Sequence, residues 1–184
     1  MLSEFGYDDL AYMLLTRKEY PGYLYPITKG ATTIWERWDG IKPDGSFQDA
    51  GMNSFNHYAY GAIGSWLYAQ VAGIQEDPTA PGYKKMIIRP VPGGGLTWAK
   101  AEHQTMFGSV KSEWKINSKD MLLKITIPTN TTAEVYIKSN NRQKIKEGGK
   151  PVSSCPDIKF LRMDKGYAVF EVGSGSYEFV TQDL

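Results

Sequence analysis

Apolar positions along this chain follow two different periods, and the change falls near residue 78. Before it they recur at three and four. From Asp8 to Lys18, Leu10, Tyr12, Met13, Leu14 and Leu15 sit between polar residues, with Asp8 and Asp9 at the start and Arg17 and Lys18 at the end. That charge order suits a helix dipole and predicts a short helix, broken by Glu19-Tyr20-Pro21-Gly22. Pro21 and Pro26 interrupt the run Tyr20, Tyr23, Leu24, Tyr25 and Ile27, so irregular backbone is expected there, not a strand. The clearest helical pattern runs from Met52 to Gly73, where Phe55, Tyr58, Ala59, Ala62, Ile63, Trp66 and Ala69 repeat with helical spacing. Asn53 or Ser54 is placed to cap its start and Gly73 to close it. A second stripe holds His57, Gly61, Gly64 and Tyr68. A helical glycine costs about 1 kcal/mol against alanine, which is explicable if another element packs closely there. A helix with two buried faces belongs inside a multi-helix assembly.

After Asp77-Pro78-Thr79-Ala80-Pro81-Gly82, a turn-rich connection, the period becomes two. Short runs over 84–89, 97–105, 109–116, 121–127, 133–139, 158–163, 167–172 and 176–180 alternate apolar and polar residues, as in Leu123, Ile125, Ile127 and in Ala168, Phe170, Val172. Such spacing predicts an antiparallel sandwich or jelly roll. Asn117-Ser118-Lys119-Asp120 and Ser139-Asn140-Asn141 read as hairpin turns. Pro90 to Gly95 reads as a bend whose glycines lack the Lys-Ser/Thr of a phosphate loop. The chain is thus composite, with a helical part at 1–77 that is too small to make an ordinary core, and a β domain at 78–184.

Composition narrows the partners. The 184 residues carry a formal charge of +1, so no general attraction to nucleic acid or an anionic membrane is indicated. No apolar run is long enough to span a bilayer, and the first residues lack the pattern of a signal peptide, which leaves the compartment unread. A single cysteine, Cys155, excludes an internal disulfide and a cysteine-based zinc site. Twelve Tyr, seven Phe and five Trp are a rich aromatic supply, which fills cores more often than it lines sugar clefts. Trp98, Trp114 and Tyr177 are either core residues or sugar platforms. Asp39, Asp44 and Asp49 fall in a Gly- and Ser-rich loop, but their spacing fails the EF-hand pattern, so no metal or cofactor is assigned.

The candidate chemistry lies at Trp35-Glu36-Arg37-Trp38. A glutamate between two indoles is expected to be partly shielded from water, which disfavours its charge, while Arg37 favours it; opposing influences of this kind mark a candidate acid or base. The competing reading is structural: Thr33 and Glu36 have the spacing of a capping box, or the four residues form a docked surface turn. His57, expected in the first turn of the long helix, is either a core histidine bonded to backbone or a neutral imidazole facing a sugar hydroxyl.

These stretches carry a resemblance. Gly30 to Asp39, followed by Met52-Asn53-Ser54-Phe55-Asn56-His57-Tyr58-Ala59-Tyr60-Gly61, resembles the bacterial α-L-rhamnosidases of glycoside hydrolase family 78. The likeness also covers Gly6 to Tyr12, Val71 to Ile74, Arg89 to Leu96 and Gly108 to Trp114. It implies the last helices of an (α/α)6 barrel followed by an antiparallel, jelly-roll-like β-sandwich. It implies a C-terminal part of an inverting glycosidase acting on rhamnose-containing carbohydrate, with Glu36 as general base and His57 contacting the sugar. Trp35 and Trp38 would wall the site; charge pairing, and not the resemblance, suggests that Arg37 holds Glu36 ionised. The family's general acid lies in an acidic, tryptophan-containing segment that nothing here matches. The missing partner is then the N-terminal part of the same enzyme, and exposed helices leave self-association open.

Overall fold

All eight runs with period two form strands in the computed structural model, which describes residues 1–51 and 53–182. In chain order the strands are β1 (Ile74–Glu76), β2 (Lys85–Ile88), β3 (Trp98–Thr105), β4 (Gly108–Asn117), β5 (Asp120–Ile127), β6 (Thr132–Lys138), β7 (Ile145–Glu147), β8 (Lys150–Pro151), β9 (Ile158–Asp164), β10 (Tyr167–Val172) and β11 (Gly175–Thr181). The three that periodicity misses, β1, β7 and β8, are two or three residues long and offer no room for an alternation to show. They make two sheets, ordered β1-β2-β6-β10-β9 and β3-β4-β5-β11-β7-β8. Pairing is antiparallel apart from β2 with β6, where Ile88 lies beside Val135 in a parallel register. Asn117–Asp120 closes the β4–β5 hairpin as predicted. Ser139-Asn140-Asn141 is not a hairpin turn: it leads from β6 in one sheet towards β7 in the other, and the Asn141 side chain caps the turn that follows by accepting from Gln143 N at 2.9 Å.

The chain divides into two compact units, Met1–Trp66 with Gly93–Gly95, and Leu67–Pro92 with Leu96–Leu184. In the second, alternation turns one face of each sheet inward. Met86, Ile88, Val135, Ile137, Ala168 and Phe170 come from one sheet, and Val110, Trp114, Leu123, Ile125 and Phe179 from the other, all essentially without solvent exposure. The rings of Phe170 and Phe179 stack across the layers with centroids 6.5 Å apart. Trp114 donates from Nε1 to Val71 O at 2.7 Å and Ser112 from Oγ to Ala72 O at 2.6 Å, so the buried polar atoms of β4 are satisfied by the turn of helix at Leu67–Val71 and the residue after it. On the outer face Lys85 bridges Asp77 and Glu134, each at 3.1 Å, and Arg162 reaches Glu134 at 2.8 Å. Asp77 also accepts from the Thr79 hydroxyl (2.6 Å) and backbone N–H (2.9 Å). These two bonds, with Lys85 behind them, outweigh burial and hold the Asp77 carboxyl down at about 2.

The first unit is sparser. Its helices are α1 (Asp8–Thr16), α2 (Tyr25–Thr28) and α3 (Ile63–Trp66), the last entered through a 3-10 turn at Ala59–Ala62. The α1 prediction stands within two residues. The long helix does not: its expected first residue, Met52, lies outside the described residues, and 53–57 are not helical. Their backbone groups go instead to Ile34 and Glu36, so helical turns begin only at Ala59. No atom within 4 Å would meet a Cβ built at Gly61 or Gly64, so the close neighbour expected for those glycines is not among the described residues. Gly93 and Gly94 have the opposite character. A Cβ on either would come within 2.5 Å of the Tyr12 ring, which is 1% exposed, and Gly94 has φ +60°. The glycine run is flat because Tyr12 lies against it.

Candidate active site

Two segments far apart in sequence are held side by side in the first unit. Glu36 N donates to Ser54 O (2.8 Å), and His57 N donates to Ile34 O (2.8 Å). The Glu36 side chain closes the same junction, with Oε2 accepting from Ser54 N at 3.0 Å. Thr33 donates from Oγ1 to Phe55 O. The capping box between Thr33 and Glu36 is therefore not formed. Both side chains serve the 53–57 segment, and no helix starts at Thr33.

The two tryptophans diverge. Trp35 is 6% exposed and meets Phe55 edge-on, with centroids 4.9 Å apart; it anchors the segment in the unit's small core. Trp38 is half-buried, stacks on Tyr60 (4.8 Å, 26°) and has Tyr23 at 5.6 Å. Its Nε1 is enclosed, with no hydrogen-bond partner among the described residues. Arg37 does not pair with Glu36. Its Nη1 donates to Gln48 Oε1, so the expected charge pairing gives way to a neutral acceptor from the following loop.

Glu36 is half-buried, with one oxygen fixed by a backbone N–H and the other without a partner among the described residues. Such a carboxylate is oriented yet can still accept a proton from water. His57 Nδ1 accepts from Ala59 N at 3.2 Å, so the side chain caps the 3-10 turn, whereas it was expected inside a helix. With Nδ1 accepting, Nε2 is the donor. The ring lies parallel to Tyr58 (3°, 5.7 Å). Sequence reasoning missed Ser54, Gln48, Tyr60 and Tyr23 as supports. Ser54 and Tyr60 sit inside the motif that carries His57 and could have been found there, whereas nothing in the loop sequence marks Gln48.

Of the candidate sugar platforms in the sandwich, Trp114 is fully buried core. Tyr177 is half-buried, donates to Gly173 O and stacks on Phe179. Trp98 alone of the three is open, at 63% exposure. In the aspartate loop, Asp44 accepts from Ser46 N and Oγ in a local turn, which lowers its pKa.

Residues 1–71 match the bacterial α-L-rhamnosidase six-hairpin glycosidase domain, and residues 73–151 match the bacterial α-L-rhamnosidase C-terminal domain. A helical six-hairpin portion is thus followed by an all-β domain, in the order expected. The chain is 45% identical over 179 residues to an α-L-rhamnosidase of Streptomyces avermitilis, covering 97% of this chain and 16% of that protein. It is 40% identical over 179 residues to one of Formosa agariphila, covering 97% and 19%. The crystal structure of the Streptomyces avermitilis enzyme complexed with L-rhamnose superposes with a TM-score of 0.88 at 45% identity, over 98% of this chain and 17% of that one. An α-L-rhamnosidase structure from Dictyoglumus thermophilum gives 0.84 at 35% identity, over 99% and 20%. The chain belongs to the bacterial α-L-rhamnosidase family and corresponds to its C-terminal region.

Proposed function

We propose that this chain is the C-terminal part of an inverting glycoside hydrolase that removes terminal α-L-rhamnose from glycans or glycosides. Glu36 acts as general base. Its free oxygen takes a proton from a water, which attacks the anomeric carbon on the face opposite the leaving group. A second carboxyl group, roughly 6.5–9.5 Å away, protonates the leaving oxygen. His57 donates from Nε2 to a sugar hydroxyl, Trp38 walls the site with Tyr60, and Trp35 and Arg37 position the segment. The observation that carries the reading is the junction of the two motifs, where Ser54 N–H holds Glu36 Oε2 and His57 N–H holds Ile34 O.

No segment of these 184 residues matches the family's acid motif, so the acid comes from another part of the enzyme and this chain alone is inactive. The helical unit also presents an apolar groove of about 350 Å³, lined by Leu14, Leu15, Tyr23, Tyr60 and Trp66 among others. In the whole enzyme this is the face that the preceding hairpins cover, and in the isolated chain it drives self-association. Release of nitrophenol from an aryl α-L-rhamnoside tests the first part. The chain alone should not exceed its Glu36→Gln control, and turnover should appear when it is joined to the preceding part of the enzyme. Glu36-dependent turnover by the chain alone would overturn the assignment of the acid. Light scattering tests the second part, and a clean monomer would remove it. A second reading rests on Trp98: the sandwich binds carbohydrate without catalysing, which a Trp98→Ala change should abolish in calorimetric titration.

A further inference from the structure

The outer face of the five-stranded sheet carries a cation with no counter-charge among the described residues. Arg89 directly follows β2, in the Arg-Pro-Val-Pro stretch that the proposed chemistry leaves unused. The parallel register sets Ile88 beside Val135, so Arg89 falls level with Tyr136. Its guanidinium carbon lies 5.2 Å from the Tyr136 ring centroid and 5.1 Å from that of Tyr167. The two rings are 6.1 Å apart and inclined at 68°. Both are 8% exposed, and with Val169 they form an apolar cluster on this face. Between them the guanidinium is held by the negative ring faces and loses rotational freedom.

What is missing is an acceptor. Arg89 Nε is enclosed and has no hydrogen-bond partner among the described residues, and its Nη groups, equally without partners there, are not enclosed. The nearby acids are taken: Glu134 by Lys85 and Arg162, Asp77 by Lys85 and Thr79. The Tyr136 hydroxyl receives Arg162 at 2.7 Å. A guanidinium is a permanent cation whose planar fork matches a carboxylate in two parallel hydrogen bonds, and one already fixed in place gives up little freedom on forming them. Leaving the enclosed Nε donor unmade is costly.

We propose that the Arg89 fork, clamped by Tyr136 and Tyr167, is a carboxylate-binding site on the outer face of the sandwich. The carboxylate comes either from an acidic sugar or from a free organic acid. The site uses none of the residues of the proposed hydrolysis, so its failure would leave the hydrolase reading untouched. The test is a titration of the 15N-labelled 184-residue chain, following the Arg89 Nε–H resonance, which is assigned by its loss in Arg89→Lys. Sodium D-glucuronate and sodium acetate should give saturable shifts with dissociation constants in the millimolar range. Sodium chloride at matched ionic strength and neutral D-glucose should not. Tighter binding of glucuronate than of acetate assigns the site to an acidic sugar, and equal binding assigns it to a free carboxylate. Arg89→Lys keeps the charge but not the fork, and should lose binding while the backbone spectrum of the sheet stays in place; if it disturbs that spectrum, Arg89→Gln takes its role. No saturable shift in the unaltered chain, an equal shift with chloride, or undiminished binding by a folded variant overturns the proposal.

Discussion

Among the described residues, Tyr12, Tyr25 and Trp35 are the large apolar side chains that the helical unit buries, while Phe5, Tyr7, Met13, Ile27, Phe47 and Tyr58 remain more than half exposed. The sandwich has the reverse proportions: both inner faces are closed, and its most exposed apolar residues, Trp98 and Met106, are isolated exceptions. A sheet pair buries its apolar faces against itself. The short helices of the first unit, which matches a six-hairpin glycosidase domain, leave much of theirs open. The contrast teaches where chemistry and stability reside. The candidate catalytic groups sit on irregular backbone in the less self-sufficient unit, and the stability of the isolated chain rests on the unit without them.

The largest effect that would break this contrast is catalytic. In the whole enzyme, Glu36→Gln should lower kcat by about 10²–10⁴-fold, the range for a lost general base. Added azide should then restore turnover and give a product of inverted configuration; a kcat within a few-fold of the parent would remove Glu36 from the reaction. Next is the sandwich core. Phe170→Ala should cost about 3–5 kcal/mol in denaturant unfolding followed by Trp114 fluorescence, without altering the Tyr12 environment. A loss of under about 1 kcal/mol would mean that the sandwich is not the stable partner. Gly93→Ala forces a methyl towards the Tyr12 ring and should cost the helical unit about 1–3 kcal/mol. Hydrogen exchange in α1 is the measurement, and unchanged protection would refute the packing.

The acid response is smaller. Asp77 has its pKa at about 2 when folded, against roughly 3.9 unfolded. A lowered carboxyl contributes stability that is present above the unfolded value and lost as pH falls through the folded one. Burial raises Glu134, but its bonds from Arg162 and Lys85 outweigh that and lower it overall, with the same sign. The sandwich should therefore lose Tm between about pH 4 and pH 2, and Asp77→Asn should flatten that decline. An identical slope in the variant would place the acid sensitivity elsewhere. The smallest effect belongs to the half-exposed Lys124–Glu178 pair (2.9 Å), whose double-mutant cycle should give about 0–1 kcal/mol.

Legibility in the sequence followed the same division. Leu123, Ile125 and Ile127 face one way because a strand alternates, and the sandwich repeats that rule often enough for its strands to be read directly. Phe55, Tyr58, Ala59 and Ala62 keep a helical spacing although only the later ones are helical, because the backbone of 53–57 is claimed by Ile34 and Glu36, and periodicity cannot register a competing hydrogen-bond partner some twenty residues away. At the site, Glu36 and His57 were legible only as candidates, from their motifs. The bond from Ser54 N–H and the turn of Arg37 towards Gln48 were not, since both depend on how a loop returns.

Gly93–Gly95 follow a stretch of sandwich chain and precede another, yet they belong with the helices through the Tyr12 ring. The two units are thus interleaved along the polypeptide. No cut at a single peptide bond between them yields two intact halves: any break between Trp66 and Gly93 separates the tyrosine from its glycine bed and leaves the latter attached to the strands. Excision of either part would need a graft at 93–95 as well as a new terminus.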